Sequence, residues 1–138
     1  MKTILFVCVH NAGRSQMAEA FFNYFAKARG LKIRALSAGT MAGKEINPII
    51  KQVMTEIGIS LEGQRPRQLT PQMVTGAARM ITMGCGVDAS VCPAGIYLTE
   101  DWGLEDPAGQ PIEKVREIRD QIRTRVEALL DEVKDEDC

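Results

Sequence analysis

VCVHNAGRSQMAEA, residues 7–20, is the stretch whose reading decides the fold. An apolar run ends in a cysteine, passes through Asn11, Ala12 and Gly13, and turns into a helix-like pattern at Arg14. Upstream, TILFVC (3–8) is continuously apolar and rich in β-branched residues, the pattern of a strand buried on both faces of a parallel sheet. Downstream, Met17, Phe21, Phe25 and Ala28 recur at helical spacing between Arg14 and about Arg29. Cys8 therefore closes a strand, and Arg14 opens a helix.

Beyond this unit, IRALSA (33–38) alternates and stops at Gly39, which predicts a second strand. Asn47-Pro48 supplies an N-cap and a first-turn proline for a helix running through IIKQVMTEI to Gly58. ARMITMG (78–84) reads as a third strand and GIYLT (95–99) as a fourth. A long charged helix follows from Ile112 to about Val133, with Ile118, Ile122, Val126, Leu129 and Val133 on one stripe. This alternation predicts an α/β fold, a small open parallel β-sheet of about four strands with helices on both faces. Ligands of such sheets bind beyond the carboxyl ends of the strands. Residues 8–14 and 84–92 follow the first and third strands, so they share that edge.

The 138 residues fit one domain, 1–138, with 45% apolar and 25% charged residues, ordinary for a globular protein. A formal net charge of -1 gives no sign of a nucleic-acid or membrane partner. The apolar N-terminal run falls short of the roughly 20 residues that span a bilayer and lacks a small-residue cleavage site, so a cytoplasmic location is expected. No obvious adhesive face stands out, and a monomer is the default.

The cysteines are Cys8, Cys85, Cys92 and Cys138. In a reducing compartment a structural disulfide framework is disfavoured. A structural zinc site needs closely paired ligands, whereas the tightest pair here is C-x6-C and the one histidine is His10, so no metal site is expected. Thiol chemistry is the better reading. Cys138 lies in an acidic tail and is read as incidental.

A strand, a short loop and a helix start together make an oxyanion cradle. Backbone N–H groups of Val9, His10, Asn11, Ala12, Gly13 and Arg14 line it, and the helix dipole favours negative charge there. The Arg14 fork suits two oxygens of a tetrahedral anion. The same positive surroundings favour the Cys8 thiolate, a nucleophile, and the Ser15 hydroxyl is placed to hydrogen-bond its sulfur.

CVHNAGRSQMAEA resembles the phosphate-binding loop and following helix of the low-molecular-weight protein tyrosine phosphatase superfamily, and within it the thioredoxin-coupled arsenate reductases. The resemblance extends to SAG (37–39), GQRPRQLTPQM (63–73), MGC (83–85) and DWGLEDPAG (101–109). The phosphatases usually carry proline at the position of Gln16, and tyrosines after their Asp-Pro pair, where this chain has Ala108-Gly109. MGCGVDASVCPAG supplies two cysteines where the reductases keep theirs. Phosphoryl transfer would leave such thiols idle, whereas reduction of As(V) needs two electrons.

The resemblance implies that Cys8 attacks arsenate and Asp106 protonates the departing oxygen. Cys85 then resolves the Cys8–arsenic adduct, Cys92 takes over the disulfide, and thioredoxin donates the electrons. No tightly bound cofactor is implied. Asp101 and Glu105 share the loop of Asp106, and any of the three carboxylates could be the acid; the Asp-Pro pair favours Asp106. If 85–92 were helical, seven steps would separate its cysteines by roughly 10 Å, beyond the about 7 Å a disulfide tolerates, so 84–95 is expected to unwind on oxidation.

Some family members bind potassium through residues matching Asn11, Glu19 and Ser37. Further ligands would fall near QRPRQ (64–68), where this chain has arginines instead of a carboxylate, which argues against the ion. Arg65 and Arg67 read as solvated surface charges, with a contribution to drawing in the anion as the alternative. Asn11 is expected to steady the loop, His10 to point outward, and Met17, Met54, Met80 and Met83 to fill the core. The competing readings are a phosphatase of the same superfamily and a non-enzymatic redox sensor.

Overall fold

The computed structural model describes residues 3–83 and 99–134. The elements run β1 (Thr3–Cys8), α1 (Arg14–Ala28), β2 (Arg34–Gly39), α2 (Pro48–Thr55), α3 (Pro71–Gly76), β3 (Arg79–Thr82), β4 (Thr99–Asp101) and α4 (Ile112–Val133). The strands form one parallel sheet in the order β2-β1-β3-β4, as the alternation predicts. Register pairs Cys8 with Gly39 and Val7 with Thr82, so the carboxyl ends of the central strands share one edge.

β1 is buried on both faces, which explains its unbroken apolar run. Ile4, Phe6 and Cys8 face a core shared with α1, α2 and α4, whereas Leu5 and Val7 face a smaller one closed by Leu69 and Val74, the latter from α3. Helices therefore cover both faces, unequally. The α4 stripe Ile118, Ile122, Val126, Leu129 and Val133 is buried, as are the four methionines assigned to the core.

The two Xaa-Pro helix starts use one device. Asn47 accepts a hydrogen bond from the Ile49 N–H and Thr70 from the Met73 N–H, with proline in the first turn of each helix. The second start, α3, is absent from the elements read in the sequence, although Thr70-Pro71 carries the same signal. β4 is described at Thr99–Asp101, meeting the expected strand at Thr99 and running two residues beyond it, while 95–98 lie outside the described residues. One further reading is corrected. On α1, Ala28 is exposed, and Ala18, Phe22 and Ala26 complete the buried stripe, because the buried face follows Phe21 and Phe22.

Phe6 packs against Phe22 and Trp102 at ring-centroid distances of 6.2 and 5.5 Å. Trp102 and Leu104 are buried, so the segment after β4 is anchored over the sheet edge; each such anchor stabilises by about 2 kcal/mol. Arg116 clasps Glu56 at 3.1 and 2.7 Å, and Arg119 reaches Glu56 and the Val53 carbonyl, tying α4 to the end of α2. Among the described residues no helix is long and apolar enough to cross a membrane.

Candidate active site

The loop from Cys8 to Gly13 is held by its carbonyls. Those of Cys8, Val9, His10 and Ala12 accept from the N–H groups of Thr40, Met41, Gly43 and Asn47, at 2.8–3.1 Å. The Asn11 carbonyl accepts from the Gln16 side chain at 3.0 Å and that of Gly13 from Met17 at 3.0 Å. With its oxygens turned outward, the loop presents its N–H groups to the opposite side, the arrangement of an anion nest. α1 begins there with no side-chain cap and no acidic residue in its first turn, so its unpaired N–H groups and dipole add to the cradle.

Gly39 makes the close packing possible. A Cβ there would stand 2.5 Å from the Val9 carbonyl oxygen and 3.0 Å from the Asn11 nitrogen. Asn11 adopts φ 53°, a left-handed conformation that asparagine tolerates better than most residues. Its side chain serves three neighbours. Nδ2 donates to Ser15 Oγ at 2.7 Å, and Oδ1 accepts from Gln16 Nε2 at 3.0 Å and from the Arg67 N–H at 2.9 Å.

Cys8 is buried, and its Sγ lies 3.0 Å from Ser15 Oγ. Since Ser15 Oγ already accepts from Asn11, its own proton is free to point at a thiolate. Arg14 is also buried, with Nη1 donating to the carbonyls of Leu104 at 2.8 Å and Met83 at 3.2 Å. Those bonds fix the guanidinium plane, and Nη2 stands 3.9 Å from Asp106 Oδ2. Cys8, Arg14 and Asp106 line one pocket of about 440 Å³, together with Val9, His10, Ala12 and Gly13 of the loop.

The three candidate carboxylates are now distinguishable. Asp101 accepts from the Thr82 hydroxyl at 2.7 Å at the end of the sheet, outside the pocket lining. Glu105 pairs with Lys114 at 3.1 Å, and that hydrogen bond holds the lysine above its ordinary value. Asp106 Oδ1 accepts from the Ala108 N–H at 2.9 Å, which orients the exposed carboxyl at the pocket mouth. His10 points outward, as expected, with Nδ1 3.2 Å from the Met41 carbonyl.

The profile of the low molecular weight phosphotyrosine protein phosphatase family matches residues 3–137. The chain belongs to that family. Within it, the chain is 38% identical over 137 residues to a putative arsenate reductase of Halobacterium salinarum, covering 96% of this chain and 93% of the relative. It is 35% identical to a glutaredoxin arsenate reductase of Synechocystis, covering 94% and 97%. A solved arsenate reductase in its phosphate-binding state superposes with a TM-score of 0.83 at 34% identity, covering 96% and 99%. A thioredoxin-dependent arsenate reductase of Corynebacterium glutamicum gives 0.78 at 33% identity, covering 96% of this chain and 62% of that one.

Against this family background, the structure brings together Cys8, Arg14, Ser15, Asp106 and the loop 9–13. Cys85, Cys92 and Cys138, and the segment 84–95 expected to rearrange, lie outside the described residues. Arg67 is a correction: it pairs with the buried Glu19 at 3.0 Å rather than standing free in solvent. Gln64, which the sequence does not single out, and Gln16, noted there only as the position where the phosphatases carry proline, both support the site. Gln64 Nε2 donates to Gln16 Oε1 at 2.7 Å, and Gln16 in turn holds Asn11. The available signal was a glutamine on the face of α1 nearest the loop, one residue past Ser15.

Proposed function

We propose that this protein is an arsenate reductase in which Cys8 is the nucleophile, Cys85 and Cys92 relay the oxidation, and thioredoxin restores the thiols. The observation that carries the reading is Cys8 Sγ at a carbonyl-pinned anion cradle, 3.0 Å from Ser15 Oγ, in one pocket with Arg14 and Asp106. The arsenate reductases among its relatives supply the substrate class.

Arsenate enters as a tetrahedral dianion or monoanion and is held by loop N–H groups and the Arg14 fork. The Cys8 thiolate bonds to arsenic, and an As–O bond breaks as Asp106 delivers a proton and water leaves. The Cys85 thiolate then attacks Cys8 Sγ. An S–S bond forms, the S–As bond breaks, and its electron pair stays on arsenic, giving arsenite. Two thiolates have thus supplied the two electrons that As(V) gains. Cys92 next attacks Cys85 and frees Cys8, and a dithiol of thioredoxin reduces the Cys85–Cys92 disulfide.

Cys85 and Cys92 as two resolving thiols support thioredoxin over a low-molecular-weight thiol, and the Corynebacterium neighbour supports it further. The Synechocystis relative makes glutaredoxin the competing donor. The second reading, a phosphatase, is favoured by the family itself. Against a phosphotyrosine substrate, no Phe, Tyr or Trp is among the described residues that line the pocket, and Ala108 follows the Asp106-Pro107 pair.

The test follows NADPH oxidation with arsenate, thioredoxin and thioredoxin reductase, and separately with glutathione, glutaredoxin and glutathione reductase. Arsenate-dependent turnover with thioredoxin is expected, and Cys8→Ser, Cys85→Ser and Cys92→Ser should each abolish it. Turnover only with glutaredoxin would reassign the donor. No turnover, beside aryl-phosphate hydrolysis that needs Cys8 alone, would make the protein a phosphatase.

A further inference from the structure

Glu19 is a carboxylate at 4% exposure, one helical turn beyond Ser15 and beneath the anion loop. A charge so buried needs a counter-charge and further hydrogen bonds, or its desolvation is uncompensated. Both come from its surroundings. Ser37 Oγ donates to Glu19 Oε1 at 2.7 Å, and Arg67 Nη1 donates to the same oxygen at 3.0 Å.

Arg67 is itself stitched to the sheet. Its carbonyl accepts from the Gly39 N–H at 2.8 Å, and the Gly39 carbonyl accepts from the Leu69 N–H at 2.9 Å, so 67–69 runs along the end of β2. From there its backbone N–H reaches Asn11 Oδ1 at 2.9 Å while its side chain reaches Glu19. One residue therefore grips the loop by the main chain and α1 by the guanidinium, and Asn11 passes the constraint to Ser15 and Cys8.

The potassium site implied by the family resemblance does not fit this arrangement. Asn11 Oδ1 already accepts from two N–H donors, and Glu19 Oε1 is already neutralised by a guanidinium. A cation entering here would meet a fixed positive charge.

We propose that Arg67 is a positioning residue for the anion loop. Its guanidinium is the built-in cation that neutralises Glu19 and makes the geometry around Cys8 independent of alkali ions. This inference does not depend on the substrate, so its test uses neither arsenate nor turnover.

The rate of Cys8 alkylation by iodoacetamide at neutral pH, followed by peptide mass mapping, reports the loop, and thermal unfolding reports stability. In the native protein both are expected to be the same in potassium and sodium chloride. Arg67→Gln should slow Cys8 alkylation about fivefold, and Arg67→Lys, which keeps the charge, should stay within about twofold of native. A native protein whose unfolding midpoint rises in potassium over sodium by about 4 °C or more would overturn the proposal. So would a folded Arg67→Gln that alkylates at the native rate, or an Arg67→Lys as slow as Arg67→Gln. If Arg67→Gln does not fold, the comparison of salts on the native protein and the Arg67→Lys rate still decide the matter.

Discussion

Ser15 Oγ stands 3.0 Å from Cys8 Sγ, across a loop that separates the two residues by seven positions in sequence. The contact exists because Asn11, in its left-handed turn, holds the serine hydroxyl from the other side at 2.7 Å. A hydrogen bond to a thiolate favours the charged, reactive form.

Ser15→Ala removes that bond without adding bulk. Hydrogen bonds to charged groups contribute about 1.5–3 kcal/mol, so Cys8 alkylation at neutral pH should slow at least about tenfold. The unfolding temperature should also fall by about 4 °C or more, because Asn11 Nδ2 loses its buried acceptor. An unchanged alkylation rate, measured on the Cys8 peptide, would dissociate the serine from the nucleophile.

Asp106→Asn and Glu105→Gln separate the two acidic residues at the pocket. Removing a general acid lowers the chemical step by about 100-fold or more, while the neutral amide leaves anion binding intact or strengthens it near Arg14. Glu105 is engaged by Lys114, so its variant should stay within about twofold of native. Single-turnover rates set beside anion affinity give the answer. A larger loss from Glu105→Gln would reverse the assignment.

Gly39→Ala drives a methyl group to 2.5 Å from the Val9 carbonyl oxygen, which is backbone and cannot swing aside. Destabilisation of about 1–3 kcal/mol is expected, together with slower Cys8 alkylation as the loop shifts. Urea unfolding measures the first effect. A loss below about 0.5 kcal/mol would mean that the loop yields at little cost.

Glu56 carries the acid dependence of the α2–α4 contact. The Arg116 hydrogen bond is the largest influence, and the Arg116 and Arg119 charges add to it; desolvation opposes them, and the net result holds the carboxyl below its ordinary 4.5. A depressed folded value stabilises above the unfolded value, and this contribution disappears as pH falls through the folded one. Glu56→Gln should therefore lower the midpoint at neutral pH and approach the native protein below pH 4.5. Parallel curves across that range, from thermal melts at stepped pH, would contradict the linkage.

The fold was legible because β1, α1 and α4 each declare themselves. β1 is buried on both faces and therefore reads as an unbroken apolar run, and α4 shows its buried stripe at clean helical spacing. Cys8 and Arg14 were legible for a local reason, since both belong to one strand–loop–helix unit. Arg67 was not. Its partners Glu19 and Asn11 are 48 and 56 positions away in sequence, and no pattern around QRPRQ distinguishes a paired arginine from a solvated one. The sequence left three carboxylates open as the proposed acid, and tertiary contacts now engage Asp101 with Thr82 and Glu105 with Lys114. α3 is too short for periodicity to register, although its cap was present.

The outward commitment of the carbonyls from Cys8 to Gly13 means that the protein's own hydrogen bonds hold the cradle in shape. Such a cradle of N–H donors measures charge and tetrahedral shape and little else. Phosphate has both, and a solved arsenate reductase of the same fold is known in a phosphate-binding state. Under the proposed reduction of arsenate, discrimination against this abundant impostor would not be exercised at entry. It would fall to the step after attack, where an arsenic adduct can accept an electron pair and a phosphorus one cannot. The loop would then be a turnstile that admits both anions, with redox chemistry sorting them on the far side.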